Sequence, residues 1–111
     1  MLNMVALMGR LTFEPELRKT PSDVSVIRFQ IACDRTYQRA GAERQTDFID
    51  CVAWRQTAEF INKYFSKGRM ICVEGSLRTG SYNDKNHPDV KHYTTDVLVD
   101  KAYFTGEKSD S

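Results

Sequence analysis

The residues that decide the fold run from Phe48 to Gly68 and read FIDCVAWRQTAEFINKYFSKG. In the first seven residues two sets of side chains alternate, which is the period of a β-strand. One set is Ile49, Cys51 and Ala53, and the other is Phe48, Asp50, Val52 and Trp54. From Thr57 to Lys67 the apolar residues recur at helical steps, which predicts a short amphipathic helix. A strand followed directly by a helix is therefore expected here.

Four further segments show strand alternation. They are residues 2–11, 25–33, 70–79 and 93–104, and residues 80–92 are predicted to be a polar loop. The order β-β-β-α-β-β predicts an all-β protein, a five-stranded OB-fold barrel with one short α-helix between strands 3 and 4. We assign residues 1–105 to this domain and residues 106–111 to a short flexible tail.

The first strand is apolar on both of its faces, unlike the other four. Leu2, Met4, Ala6 and Met8 alternate with Val5 and Leu7. A strand that is covered on two sides gives this pattern. The second cover is either another part of the same core or a neighbouring subunit, and the alternation alone favours neither.

Length and composition restrict the function. The 111 residues suffice for one domain with one modest core. The formal net charge is only +1, so any polyanionic ligand has to be held by a local arrangement of cations. Cys33, Cys51 and Cys72 are widely spaced and odd in number, which favours a reducing, cytoplasmic location. With only two histidines and no paired cysteines, neither a metal site nor a cofactor is predicted.

Aromatic residues at unusual places are the main functional signal. Phe48 and Trp54 share the outer face of one predicted strand with Asp50, and Tyr82 lies near a later hairpin. Tyr37 is flanked by Arg35 and Arg39. Exposed rings next to arginines are typical of surfaces on which unpaired nucleobases stack.

Two arginine-bearing strands add cations to that surface. Arg28 and Gln30 alternate with the apolar residues of the second strand and are predicted to point outward, as is Arg78 in the fourth strand. An enzyme built on His87, His92 and Asp89 is disfavoured, because all three lie in one predicted loop without a positioned partner. The sequence therefore predicts a binding protein and not an enzyme.

Several motifs in the right order resemble the bacterial single-stranded DNA-binding proteins. The resemblance covers residues 1 to about 104. It is carried by LNMVALMGRL at 2–11, PELR at 15–18, TPS at 20–22, DFIDCVAWR at 47–55, YFSKG at 64–68, VEGSLRT at 73–79 and YTTDVLVD at 93–100.

The resemblance implies a function and a set of contact residues. Tyr37, Phe48, Trp54 and Tyr82 are then the base-stacking residues, with Arg18, Arg28, Gln30 and Arg78 on the DNA-facing side. It also implies a homotetramer that binds and protects single-stranded DNA, without regard to sequence, during replication, recombination and repair.

The sequence departs from the family pattern in two ways. Asp50 lies between Phe48 and Trp54, where relatives commonly carry a neutral or basic residue, and Met4 and Gly80 stand where relatives often have a cation. Family members usually continue into a linker with an acidic tip that recruits replication and repair proteins, and this sequence ends at Ser111. Recruitment of such proteins is possible but is not predicted from that segment.

Two other readings remain open from the sequence. The same barrel serves in primosome or assembly factors that bind DNA together with a replication protein. RNA is an alternative ligand, because stacking does not read the 2′-hydroxyl group.

Overall fold

The computed structural model describes residues 1–35, 41 and 45–106, and all structural statements below refer to these residues. Six strands and one helix follow one another along the chain. They are β1 (Val5–Leu11), β2 (Glu16–Lys19), β3 (Ser25–Asp34), β4 (Thr46–Trp54), α1 (Arg55–Tyr64), β5 (Met70–Asn83) and β6 (Lys91–Tyr103). The prediction of a mostly β fold with one short helix is confirmed.

The strands form one sheet in the order β1-β5-β6-β4-β3-β2. All neighbours are antiparallel except β4 and β6, which run parallel. Near their ends β1 and β3 also pair, through Arg10 with Ala32 and Leu11 with Ile31. The pairings of β1, β5, β6, β4 and β3 therefore run round a ring of five strands, as expected for the predicted topology.

The sixth strand, β2, is a difference from the prediction. Its four residues pair with Ser25 to Arg28 on the edge of β3 that β1 leaves uncovered. The sequence predicts turns at residues 14–16 and 20–22, each of which contains a proline, and no strand between them. The segment is also charged, with Glu16, Arg18 and Lys19. A short, charged strand is what a sheet edge tolerates.

The core fills the ring and is closed by the helix. Its largest fully buried side chains are Leu11, Ile27, Phe29, Ile31, Ile61, Ile71, Val73 and Val97. The helix contributes Ala58 and Ile61, and Phe65 follows directly after it. The helix thus buries one face against the sheet, as its apolar spacing predicts.

The helix starts two residues earlier and ends three residues earlier than predicted. Trp54 is its N-cap residue in an extended conformation, and no side chain caps the helix. Thr57, which the sequence places at the helix start, donates its hydroxyl to the carbonyl of Asp100 instead (3.1 Å). No helix among the described residues is both long and apolar enough to cross a bilayer.

Strands β5 and β6 form a hairpin that is longer than predicted. They stay paired from Cys72 and Tyr103 out to Asn83 and Lys91. Residues 80–83 and 91–92 of the predicted loop are therefore strand, and residues 84–90 connect the two strands. The polar composition of this segment predicts a loop, but the far half of the hairpin is a strand pair that lies beyond the core. Both of its faces are therefore solvated and carry polar residues.

Candidate nucleic-acid interface

The outer face of β3 and β4 carries four of the eight predicted contact residues, Arg28, Gln30, Phe48 and Trp54. The register places Ala32 opposite Phe48, Gln30 opposite Asp50, Arg28 opposite Val52, and Val26 opposite Trp54. Alternate residues of a strand point to the same side, so these eight side chains share one face. The opposite set, which includes Phe29, Ile31 and Ala53, lies in the core.

Phe48 and Trp54 are exposed on this face, as the alternation predicts. The exposed fractions are 63% for Phe48 and 41% for Trp54. Six residues separate them along β4, which corresponds to roughly 20 Å. Each ring therefore offers its own platform, and one nucleobase cannot contact both.

A hydrogen-bond network occupies the surface between the two rings. The Gln30 amide donates from Nε2 to Oδ1 of Asp50 (3.1 Å), and its Oε1 accepts from the Thr12 hydroxyl (2.9 Å). Gln30 is thus held at both ends by protein partners. In the described part of the chain Asp50 forms no ion pair. Among the described residues no cation therefore offsets this carboxylate on the face that carries the rings.

Arg18 and Arg28 lie together next to Trp54. In register, Arg18 lies opposite Val26, which in turn lies opposite Trp54, and Glu16 lies opposite Arg28. The four residues of β2 and β3 line a pocket of about 190 Å³. Arg18 donates to Glu16 from Nε (2.8 Å) and from Nη2. No hydrogen bond or ion pair engages the Arg28 side chain among the described residues.

A groove beside Trp54 brings in cations that the sequence analysis does not single out. Its volume is about 560 Å³, and Lys19 and Arg55 line it together with the carboxylates of Asp23 and Glu59. Arg55 has a positive φ of 57°, which is uncommon outside glycine. In the sequence, only its position directly after Trp54 indicates that Arg55 belongs to this surface.

Tyr82 and Arg78 lie on the β5–β6 hairpin, away from β4. Both belong to the same side of β5, opposite His92 and Asp96 of β6, respectively. Both are exposed, Tyr82 to 58%. The Tyr82 ring stacks on the imidazole of His92, with 5.0 Å between ring centroids and 28° between ring planes. The sequence predicts the exposed ring but not its partner.

Tyr37 lies outside the described residues, so the structure does not describe this predicted contact residue. Arg35, which precedes it, forms two hydrogen bonds to Asp47, from Nε to Oδ2 (3.2 Å) and from Nη2 to Oδ1 (3.1 Å). These bonds from Arg35 lower the pKa of Asp47 below its ordinary value. The Arg35 cation is therefore offset by a carboxylate.

Reactive groups are few in the described part of the chain. It contains no group of three or more metal-binding side chains. All three cysteines are free thiols. Burial raises the pKa of the Cys51 thiol to about 12, and burial also raises that of Cys33. Because a thiol reacts as the thiolate, neither of these two cysteines is suited to act as a nucleophile near neutral pH.

The match to a family model settles which family this fold and surface belong to. The model describes the single-strand binding protein family and matches residues 2–105. The chain belongs to the single-strand binding protein family. This confirms the resemblance seen in the sequence, and with it the OB-fold interpretation of the ring of strands.

Curated relatives agree with the family assignment. The chain is 43% identical over 109 residues to "Single-stranded DNA-binding protein 1" of Staphylococcus aureus strain COL, which covers 98% of this chain and 64% of the relative. It is 42% identical over its full length to "Single-stranded DNA-binding protein" of strain N315, covering 70% of that protein. A Listeria monocytogenes relative, "Single-stranded DNA-binding protein 2", is 39% identical, with 68% covered. The chain thus spans about two thirds of the length of these relatives.

Proposed function

We propose that this protein binds single-stranded DNA without regard to sequence and protects it during replication, recombination and repair. Residues 1–105 would be the binding domain. The main support is the outer face of β3 and β4, where Phe48 and Trp54 are exposed and the cations Arg18 of β2 and Arg28 of β3 lie next to Trp54. Family membership and the names of the curated relatives support the same conclusion.

The mechanism rests on stacking more than on charge. Every base has a flat π-face, so aromatic platforms accept any sequence, provided that the bases are unpaired. One stacked base contributes about 1–3 kcal/mol. With a formal net charge of +1, the chain as a whole attracts a polyanion only weakly. The arginines then act locally, on phosphates next to the stacked bases, with Tyr82 and Arg78 extending the surface along the hairpin.

Substitution of the exposed rings tests the proposal. Phe48→Ala and Trp54→Ala should each weaken binding of a labelled oligo-dT by about fivefold or more, because each removes one stack of at least about 1 kcal/mol. Tyr93→Ala is the matched control. Tyr93 is 80% exposed, but it lies on the other side of the hairpin from Tyr82. Its loss should leave the affinity unchanged.

The single tryptophan provides a direct readout of the same contact. Its fluorescence should be quenched by oligo-dT and unaffected by a matched duplex. Stacking on this face is not the mechanism if two results are obtained together. Saturating oligo-dT leaves the tryptophan fluorescence unchanged, and Phe48→Ala and Trp54→Ala bind oligo-dT as tightly as wild type. Matched oligo-U measures any preference between DNA and RNA.

We further propose that the protein acts as a homotetramer in the cytoplasm. The exposed apolar side chains of the N-terminal segment support self-association, since Met1, Leu2, Met4 and Met8 are each more than half exposed. Clustered apolar exposure of this kind marks association surfaces. The three free thiols are compatible with a reducing compartment.

A further inference from the structure

The far end of the β5–β6 hairpin holds two stacked rings. Tyr82 of β5 and His92 of β6 are register partners in the antiparallel ladder, which brings their side chains to the same side of the hairpin. The ring planes are 28° apart. The imidazole therefore covers one face of the Tyr82 ring, while Tyr82 as a whole remains 58% exposed.

The imidazole is itself held by the connecting turn. His92 Nε2 lies 2.9 Å from Oδ2 of Asp84. The other oxygen of Asp84 accepts from the backbone N–H groups of Asn86 (2.8 Å) and His87 (3.3 Å), and the Asp84 N–H donates to the carbonyl of Val90 (3.0 Å). A chain of contacts thus runs from the turn through Asp84 and His92 to Tyr82.

We propose that His92 and Asp84 are positioning residues that hold the Tyr82 ring ready to stack on an unpaired nucleobase, and that protonation of His92 strengthens this contact. The inference rests on the proposed function and assigns roles to two residues within that surface. Because the imidazole backs one face of Tyr82, the base is received on the other face, and the ring loses less conformational freedom when it binds.

The charge on the hairpin gives His92 its second role. The other charged side chains of residues 78–96 are the cations Arg78, Lys85 and Lys91 and the carboxylates Asp84, Asp89 and Asp96. Three cations and three carboxylates cancel. The bond to His92 lowers the pKa of Asp84, so that this carboxylate stays ionised when the imidazole gains its proton. Protonation then gives the hairpin a net positive charge, which attracts phosphate.

The direction of the pH effect follows from this balance. Histidine side chains ordinarily change charge between about pH 5 and 8. Neutral His92 donates from Nε2 to Asp84, and the second ring nitrogen takes up the added proton, so the bond to Asp84 persists in both states. Affinity for single-stranded DNA should therefore rise as the pH falls from 8 to 6, by about two- to threefold.

Three variants of the full chain test this with a labelled oligo-dT. His92→Phe keeps a ring against Tyr82 but has no proton to gain, and His92→Gln keeps a donor for Asp84 but has neither ring nor charge. Both should lose the pH dependence, and His92→Gln should also bind about threefold more weakly than wild type at pH 8. His87→Gln is the matched control, because His87 is the only other histidine and lies in the same hairpin, but the described ring contact with Tyr82 belongs to His92. His87→Gln should bind like wild type at pH 8 and should reduce the pH dependence less than His92→Phe does.

A double-mutant cycle with Tyr82→Ala completes the test. If His92 acts by positioning Tyr82, the cost of His92→Gln at pH 8 disappears once Tyr82 is replaced. An undiminished cost in the Tyr82→Ala background overturns the positioning role, and a wild-type pH profile in His92→Phe overturns the charge role.

These outcomes are separate from failure of the proposed function. If Tyr82→Ala weakens binding while both His92 variants match wild type at pH 6 and pH 8, the inference is wrong and the function stands. If the Phe48, Trp54 and Tyr82 variants all bind oligo-dT like wild type, the proposed function is wrong instead. Unfolding midpoints of each variant show whether the fold is retained.

Discussion

Asp50 is the residue at which the sequence and the proposed ligand disagree most. Its carboxylate is exposed between Phe48 and Trp54 and accepts a hydrogen bond from Gln30, an uncharged partner. The sequence leaves open whether an arginine such as Arg28 neutralises it. In the structure the Gln30 amide takes that place, so the repulsion of phosphate persists.

We predict that Asp50→Asn tightens the binding of single-stranded DNA. A phosphate about 8 Å from a carboxylate is repelled by about 0.5 kcal/mol at the dielectric constant of water, and by more near a protein surface. Removal of the charge should therefore raise the affinity for oligo-dT about twofold or more in fluorescence titrations at low salt. The gain should shrink as salt screens the charge.

Asp100→Asn serves as the control for a general change in net charge. Asp100 is also exposed, and it lies in β6 where Thr57 of the helix donates to its carbonyl. This substitution should leave the affinity unchanged. Equal gains from both variants would mean that net charge and not the position of Asp50 matters, and no gain from Asp50→Asn would refute the repulsion.

At the scale of elements, the β5–β6 hairpin depends on a close contact between its two strands. The pairing is irregular between Glu74 and Gly75, where β6 carries one extra residue, Asp100. A Cβ atom on Gly75 would lie 1.9 Å from the carbonyl oxygen of Leu98, which is far inside van der Waals contact. The close approach of the β6 backbone therefore requires glycine at this position.

We predict that Gly75→Ala lowers the free energy of unfolding by about 1–3 kcal/mol or more, because backbone has to move to admit the methyl group. Gly80→Ala is the matched control on the same strand. Its Cβ would meet only the Thr94 hydroxyl, at 3.0 Å, and this side chain can rotate away. The control should change the stability by less than about 0.5 kcal/mol.

Urea denaturation at a single protein concentration measures both variants, since self-association would make the apparent stability depend on concentration. Equal stabilities for Gly75→Ala and wild type would show that the strand can relax around a methyl group.

The same hairpin shows where the ends of an element cannot be predicted from the sequence. By strand alternation Leu77 belongs with Ile71 and Val73 and is expected to point inward, but it is 48% exposed because β5 continues past the core.

At the scale of the whole molecule, the exposed apolar side of β1 is the feature that a monomer does not explain. Met4 and Met8 point away from the core, whereas Val5 and Leu7 pack against it. The sequence leaves open whether the second face of this strand is covered by the same core or by a neighbouring subunit. In the structure of one chain, the face that carries Met4 and Met8 is exposed. Burial of this side in a homotetramer would remove apolar area from water.

We predict a native mass of about 51 kDa, four copies of the 12.8 kDa chain. Met8→Asp should lower this mass, because a carboxylate buried without a partner is costly. Val90→Asp is the control, since Val90 is similarly exposed but lies in the hairpin turn. Native mass spectrometry that gives 12.8 kDa for wild type, or an unchanged tetramer for Met8→Asp, contradicts the β1 interface.

The sequence by itself determined the residues that alternate and the side to which each one points. Phe48 and Trp54 could be placed outside and Ile49 and Ala53 inside because side-chain direction in a strand depends only on neighbouring residues. The same local rule, at helical period, predicted the helix between two strands. The start of the helix was not predicted correctly because the Thr57 hydroxyl donates to the carbonyl of Asp100, 43 residues away in sequence, and does not cap the helix.

Only the tertiary structure decided which side chains meet across strands. Strand register determines three sets of contacts. They are those of Gln30 with Asp50, of Arg18 and Arg28 with the part of the sheet next to Trp54, and of His92 with Tyr82. Register depends on the hydrophobic patterns of both paired strands and on the turns that join them, so it is fixed only when the whole ring packs. The pattern within one strand does not identify its partner residues, and the partners of the predicted rings therefore became visible only in the folded chain.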